Sequence, residues 1–216
     1  MKKGLTELVF ILDRSGSMAG LEKDTIGGYN AMLSKQKEVD GECRITTVLF
    51  DNKYKLLHDR IEIQAVNLMT KKEYSVRGMT ALLDAMGNTI HKIENAIKHT
   101  ADDFRPENVL FVIITDGEEN SSKEYSASKI KDLVEQQKKA GWEFIFLGAN
   151  IDAVSTASHF GISADNAQDY YADSEGVQLN FKTVSDSVST LRRTSKLAKD
   201  WKQEIEKNFK KRDKTN

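Results

Sequence analysis

Short apolar runs alternate along the chain with longer stretches in which apolar residues recur every three or four positions. The runs at 6–13 (TELVFILD), 43–50 (CRITTVLF), 53–58 (KYKLLH), 108–115 (NVLFVIIT) and 143–148 (EFIFLG) predict strands. The first, fourth and fifth are apolar almost throughout, as strands covered on both faces of a parallel sheet are. Between the second and third stands Asp51-Asn52, a link of the length and type that closes a two-residue hairpin, so the third strand is expected antiparallel to the second. A shorter strand is expected near 168–172 (QDYYA).

Helical spacing is clearest in 81–98, where Leu82, Met86, Ile90, Ile93 and Ile97 share a face. Residues 125–139 carry Ala127, Ile130, Leu133 and Val134 in the same manner, and 19–39 carry Ile26, Tyr29 and Leu33. Gly27-Gly28 weakens that first helix, by roughly 1 kcal/mol per glycine relative to alanine. From 176 onward Val184, Val188, Leu191, Ala198, Trp201, Ile205 and Phe209 form a stripe on one or two helices, expected to close a face of the sheet. Strands alternating with helices, with one hairpin, give an α/β sandwich around a mostly parallel sheet.

The 216 residues suit one domain of ordinary size. Residues 1–216 are therefore expected to form a single domain, with 176–216 as a helical extension packed on it. Net charge is −1, which gives no reason to expect a nucleic-acid or membrane surface. Residues 191–216 nonetheless hold ten Lys/Arg against four Asp/Glu, a basic tail on an acidic body. Cys43 is the single cysteine, which excludes an intrachain disulfide and a thiolate zinc site. The opening MKKGLTELVFILD imitates a signal peptide, but Glu7 interrupts it and Asp13 ends a short apolar run. No stretch has the length of a membrane-spanning helix, so a cytoplasmic protein is expected.

Ligands of open α/β sheets lie outside the carboxyl ends of the strands. The first strand delivers Asp13, Ser15 and Ser17 there, and the fourth delivers Thr115, Asp116 and Gly117, followed by Glu118 and Glu119. The segment VRGMTALLDA brings Thr80 to the start of a helix, with Asp84 one turn on. These are hard oxygen donors, without histidine or thiolate, which select Mg²⁺, Mn²⁺ or Ca²⁺. Asp13 and Asp116 only balance a divalent charge, leaving the ion attractive to one further anion.

DRSGSM, then GMT, then TDG resembles the von Willebrand factor type A domain and its metal-ion-dependent adhesion site. The resemblance covers roughly residues 5–175 and maps Asp13, Ser15, Ser17, Thr80 and Asp116 onto the metal site. It implies a Rossmann-like three-layer sandwich with strand order 3-2-1-4-5-6 and an antiparallel third strand. It also implies Mg²⁺, or Mn²⁺ or Ca²⁺, as the ion, and a protein partner whose carboxylate completes the coordination shell.

Blander roles stand beside these. Ser15 or Ser17 can cap the following helix, and so can Thr80. Asp84 suits a first-turn carboxylate, Glu118 and Glu119 suit solvated loop positions, and Asp152 suits a helix start. An enzyme is not expected. The alternative, a metal-dependent phosphohydrolase of the haloacid-dehalogenase type, needs a second aspartate where Ser15 stands. A serine hydrolase needs a G-x-S-x-G elbow, and the chain reads R-S-G-S-M. No phosphate-cradling G-x-x-x-x-G-K loop or G-x-G-x-x-G fingerprint is present.

Overall fold

A computed structural model describes residues 1–213; the last three positions of the expected 1–216 domain and 176–216 extension lie outside the described residues. The strands are β1 (Lys2–Asp13), β2 (Cys43–Phe50), β3 (Tyr54–Glu62), β4 (Pro106–Asp116), β5 (Glu143–Ala149) and β6 (Ala167–Asp169). The helices are α1 (Glu22–Lys37), α2 (Leu82–Lys98), α3 (Ala127–Lys139), α4 (Ala153–His159), α5 (Ser174–Thr194) and α6 (Gln203–Asp213). They surround one six-stranded sheet of order β3-β2-β1-β4-β5-β6, parallel except for β3, which runs antiparallel to β2. Fold class and strand order are those expected. Among the described residues no helix is long and apolar enough to cross a membrane.

Alternation along β1 divides the core in two. Leu8, Phe10 and Leu12 face a cluster with Tyr29 and Leu33 of α1, and Phe181, Val184 and Val188 of α5. Trp201 and Ile205 join the same cluster. Val9 and Ile11 face Met86, Ile90 and Ile93 of α2, and Ile130 and Val134 of α3. Helices therefore cover both sides of β1 and β4, which is why their runs 8–12 and 109–114 are continuously apolar.

Three local expectations are corrected. The hairpin link comprises 51–53, because Phe50 pairs with Tyr54. Asp51 folds it as an Asx turn, accepting the Lys53 N–H at 2.6 Å on its own carboxylate. Strand β3 also runs on to Glu62 through an irregular register with Arg60 at φ 49°. Its 59–62 segment lies at the sheet edge, where only Ile61 turns to the core and no second apolar face is required. Finally, β6 is shorter than 168–172 and starts at Ala167.

Gly27-Gly28 does not break α1, which is continuous across both. A Cβ on Gly28 would stand 2.4 Å from Phe181 Cδ2, whereas one on Gly27 meets nothing within 4 Å. Gly28 is the notch that lets α5 approach α1, so its cost in helix propensity is offset by the burial of Phe181.

His58 provides a pH probe of this core. It is buried, with Nδ1 3.2 Å from both the Tyr29 hydroxyl and the Thr47 hydroxyl. Burial pushes its pKa below 6.5, with Glu73 opposing. The unfolded chain takes up that proton first, so the contribution is complete above the unfolded value and falls away as pH drops through the folded one. The share of stability that His58 contributes is expected to fall as the pH drops below 6.5, so pH-dependent thermal melts of wild type and His58→Gln should diverge in slope there. An equal slope in both proteins would remove His58 from the account.

Candidate metal centre

The rim is assembled by neighbouring parallel strands that end together. Leu12 of β1 pairs with Ile114 of β4, and Asp116 of β4 with Ala149 of β5. Asp13 is buried, and both its oxygens accept hydrogen bonds. Oδ1 accepts the Ser15 N–H at 2.6 Å, while Oδ2 accepts the Thr115 hydroxyl at 2.7 Å and the Asp116 N–H at 3.4 Å. The Tyr74 hydroxyl donates to the Asp13 carbonyl at 2.6 Å. Asp13 thus holds the turn after β1 against the end of β4.

Beyond it, Ser15 Oγ and Ser17 Oγ lie 3.0 Å apart. Ser15 is buried and Ser17 exposed. The 3₁₀ turn Gly16–Met18, which Ser15 precedes and Ser17 lies within, has no side-chain cap bond, so capping does not account for Ser15. Gly16 N–H donates to the Gly78 carbonyl at 3.0 Å, which ties this turn to the segment carrying Thr80. Gly78 is at φ 71°, with Asn52 Oδ1 only 2.5 Å from where its Cβ would be. A side chain there would be both strained and obstructed.

Thr80 is buried, and Asn120 locks its backbone. The Thr80 N–H donates to Asn120 Oδ1 at 2.9 Å, and its carbonyl accepts the Asn120 N–H at 3.0 Å. Thr80 is not the cap of α2. Glu119 performs that task, accepting the Leu83 N–H at 2.9 Å as well as the N–H groups of Ser121 and Ser122. The expectation of a solvated Glu119 is therefore corrected: the buried start of α2 needs an acceptor, and the loop supplies one. Asp84 returns the favour to the loop, accepting N–H groups of Lys123, Glu124 and Tyr125. Asp152 caps α4 through the Ser155 N–H at 2.8 Å, as expected of a helix start.

Asp116 is buried, and its oxygens differ. Oδ1 accepts from Asn150 Nδ2, whereas Oδ2 has no hydrogen-bond partner. The next residue, Gly117, is approached by two of the predicted hydroxyls: a Cβ on it would lie 3.2 Å from Ser17 Oγ and 3.9 Å from Thr80 Oγ1. Burial raises the carboxyl pKa of both Asp13 and Asp116. Hydrogen bonds oppose the rise in each, and Asp13 adds repulsion at Asp116. Leaving a buried carboxylate oxygen unpaired is expensive, so the arrangement suits a cation. Among the described residues no cluster of three or more His, Cys, Asp or Glu is built to hold a metal. The candidate donors here are instead two carboxylates and neutral hydroxyls.

Sequence reasoning missed Asn150, Asn120, Tyr74 and the pairing of Asp51. Asn150 was discoverable, since an amide immediately past a strand end in such a sheet stands beside the site. Asn120 and Tyr74 act through long-range contacts that no spacing rule exposes.

No family model matches the chain, and no curated protein matches it either. Solved structures do. A proximal thread matrix protein from the mussel byssus, with a zinc-occupied MIDAS motif, is 14% identical with a TM-score of 0.59, covering 87% of this chain and 46% of that one. A von Willebrand factor type A protein from Catenulispora acidiphila is 12% identical with a TM-score of 0.57, covering 87% and 43%. The pilus adhesin SpaC of Lactobacillus rhamnosus GG is 10% identical with a TM-score of 0.65, covering 88% and 30%. The chain thus spans less than half the length of these proteins. It has the von Willebrand factor type A fold.

Proposed function

We propose that this protein is a divalent-ion-dependent protein-binding module rather than an enzyme. Its ion is held by Asp13, Ser15, Ser17, Thr80 and Asp116, and completed by an acidic residue of a protein partner. The observation that carries the reading is the buried, unpartnered Asp116 Oδ2 next to a glycine that the Ser17 and Thr80 hydroxyls approach. The mussel protein's zinc-occupied motif, on the same fold, supports it.

In this reading the hydroxyls and Asp116 Oδ2 are the oxygen donors. Asp13, with both oxygens hydrogen-bonded, contributes charge and holds the loop. Two carboxylates neutralise a divalent ion without making it anionic, so a bound ion supplies attraction for a partner's carboxylate. Mg²⁺ or Mn²⁺ suits this small, oxygen-only donor set. Met79, adjacent to Thr80 and 56% exposed, gives the partner an apolar neighbour. Residues 1–216 act as one domain in this reading, with α5 and α6 of the 176–216 extension as its cover. The cytoplasm is the proposed compartment, since Cys43 is a lone, buried free thiol.

Titration calorimetry with Mg²⁺ and Mn²⁺ is expected to give one site. Ser15→Ala and Thr80→Ala should each weaken it while the apo protein remains folded. Capture of the partner should fail in chelator and tolerate moderate salt. Absence of any ion-dependent heat or melting shift at millimolar concentrations would end the proposal.

A further inference from the structure

Asn150 is the first residue after β5, and the pairing of Ala149 with Asp116 sets it beside the proposed ion site. It is exposed, yet its backbone is left-handed, at φ 55°. Asn tolerates that conformation better than most residues with a side chain. The conformation turns the side chain toward Asp116, where Nδ2 donates to Oδ1. The contact occupies one Asp116 oxygen and leaves the other buried without a partner.

A carboxylate with one oxygen engaged by an amide presents only the other to a cation. Ca²⁺ accepts both oxygens of a carboxylate readily and takes a larger, irregular shell, whereas Mg²⁺ demands a compact octahedron of single oxygens. Partners of ligating carboxylates generally fix their orientation and tune the bound ion. Resting on the ion-binding reading above, we infer that Asn150 is a positioning residue that makes Asp116 a one-oxygen donor and thereby favours Mg²⁺ and Mn²⁺ over Ca²⁺.

The test compares wild type with Asn150→Gly and Asn150→Asp, titrated calorimetrically with Mg²⁺ and Ca²⁺ separately. Glycine keeps the left-handed backbone and removes the amide; aspartate keeps the size and removes the donor. Removing the amide takes away the partner of Asp116 Oδ1, so the apo melting temperature of the glycine variant should fall modestly, and affinities are compared at a temperature where every variant is folded. Mg²⁺ affinity should fall about tenfold, the lower end for loss of a supporting partner of a metal ligand. Ca²⁺ affinity should fall less or rise, so that the preference for Mg²⁺ shrinks in both variants. Wild-type binding of Mg²⁺ with an unchanged preference in both variants overturns the role of Asn150 and leaves the site standing. Failure of wild type to bind either ion, or undiminished binding by Asp116→Ala, overturns the site and this inference with it.

Discussion

Asp116→Ala is expected to abolish ion binding while leaving the ion-free protein as stable as wild type or more so. The two halves of this expectation come from the same atom. Asp116 is buried, its Oδ2 has no hydrogen-bond partner, and Asp13 repels it across the end of the sheet. An unsatisfied buried polar group costs about 1–3 kcal/mol, and alanine removes that cost together with the repulsion. The amide of Asn150 loses its acceptor, but Asn150 is exposed and water replaces it. With ion present the order reverses. At a hundredfold excess over the dissociation constant, wild type gains about 2.7 kcal/mol by mass action and the variant gains nothing. Melting curves with and without Mg²⁺ should therefore cross over, the variant leading in chelator and trailing in the ion. A variant that unfolds in chelator would show that Asp116 serves the fold rather than a cation.

The carboxyl ends of β1 and β4 were legible because their side chains obey simple rules. Asp13 and Asp116 close apolar runs, and an open parallel sheet gathers such ends on one rim. Ser15, Ser17 and Thr80 followed from order and spacing, and the structure places the Ser17 and Thr80 hydroxyls around Gly117. What could not be read was the division of labour among equivalent groups. Asp13 and Asp116 look alike in sequence, yet one has both oxygens hydrogen-bonded and the other keeps one free. Glu119 looks like a loop residue because its partner, the start of α2, lies 36 positions away. Gly28 reads as a weakness until Phe181, on α5, is seen against it. In each case the deciding contact is long-range, and single-sequence periodicity carries only local information.

The same distinction separates Asp51 from the proposed ligands, and its replacement should have the largest effect on stability. Asp51 is fully buried in the link between β2 and β3. Its Oδ2 lies 3.1 Å from Nη2 of Arg14, itself 2% exposed, and accepts from Arg77 Nε at 3.0 Å. Its carbonyl accepts the Ala81 N–H at 3.0 Å, and the Arg77 N–H donates to the Arg14 carbonyl at 2.9 Å. Asp51 thus ties together the turn after β1, the hairpin and the segment carrying Thr80. Removing one partner of a buried ion pair typically costs about 3–5 kcal/mol, because the other charge is left in the interior. For a chain of this size that corresponds to a fall of roughly 6–20 °C in melting temperature. Asp51→Ala should show this loss with or without metal, the reverse of Asp116→Ala. Adding Arg14→Met to Asp51→Ala removes the stranded cation, so the double variant should be more stable than Asp51→Ala alone. If the two changes simply add in chemical denaturation, Arg14 is not the charge that Asp51 neutralises, and the stabilising role falls to the backbone ties to Lys53 and Ala81.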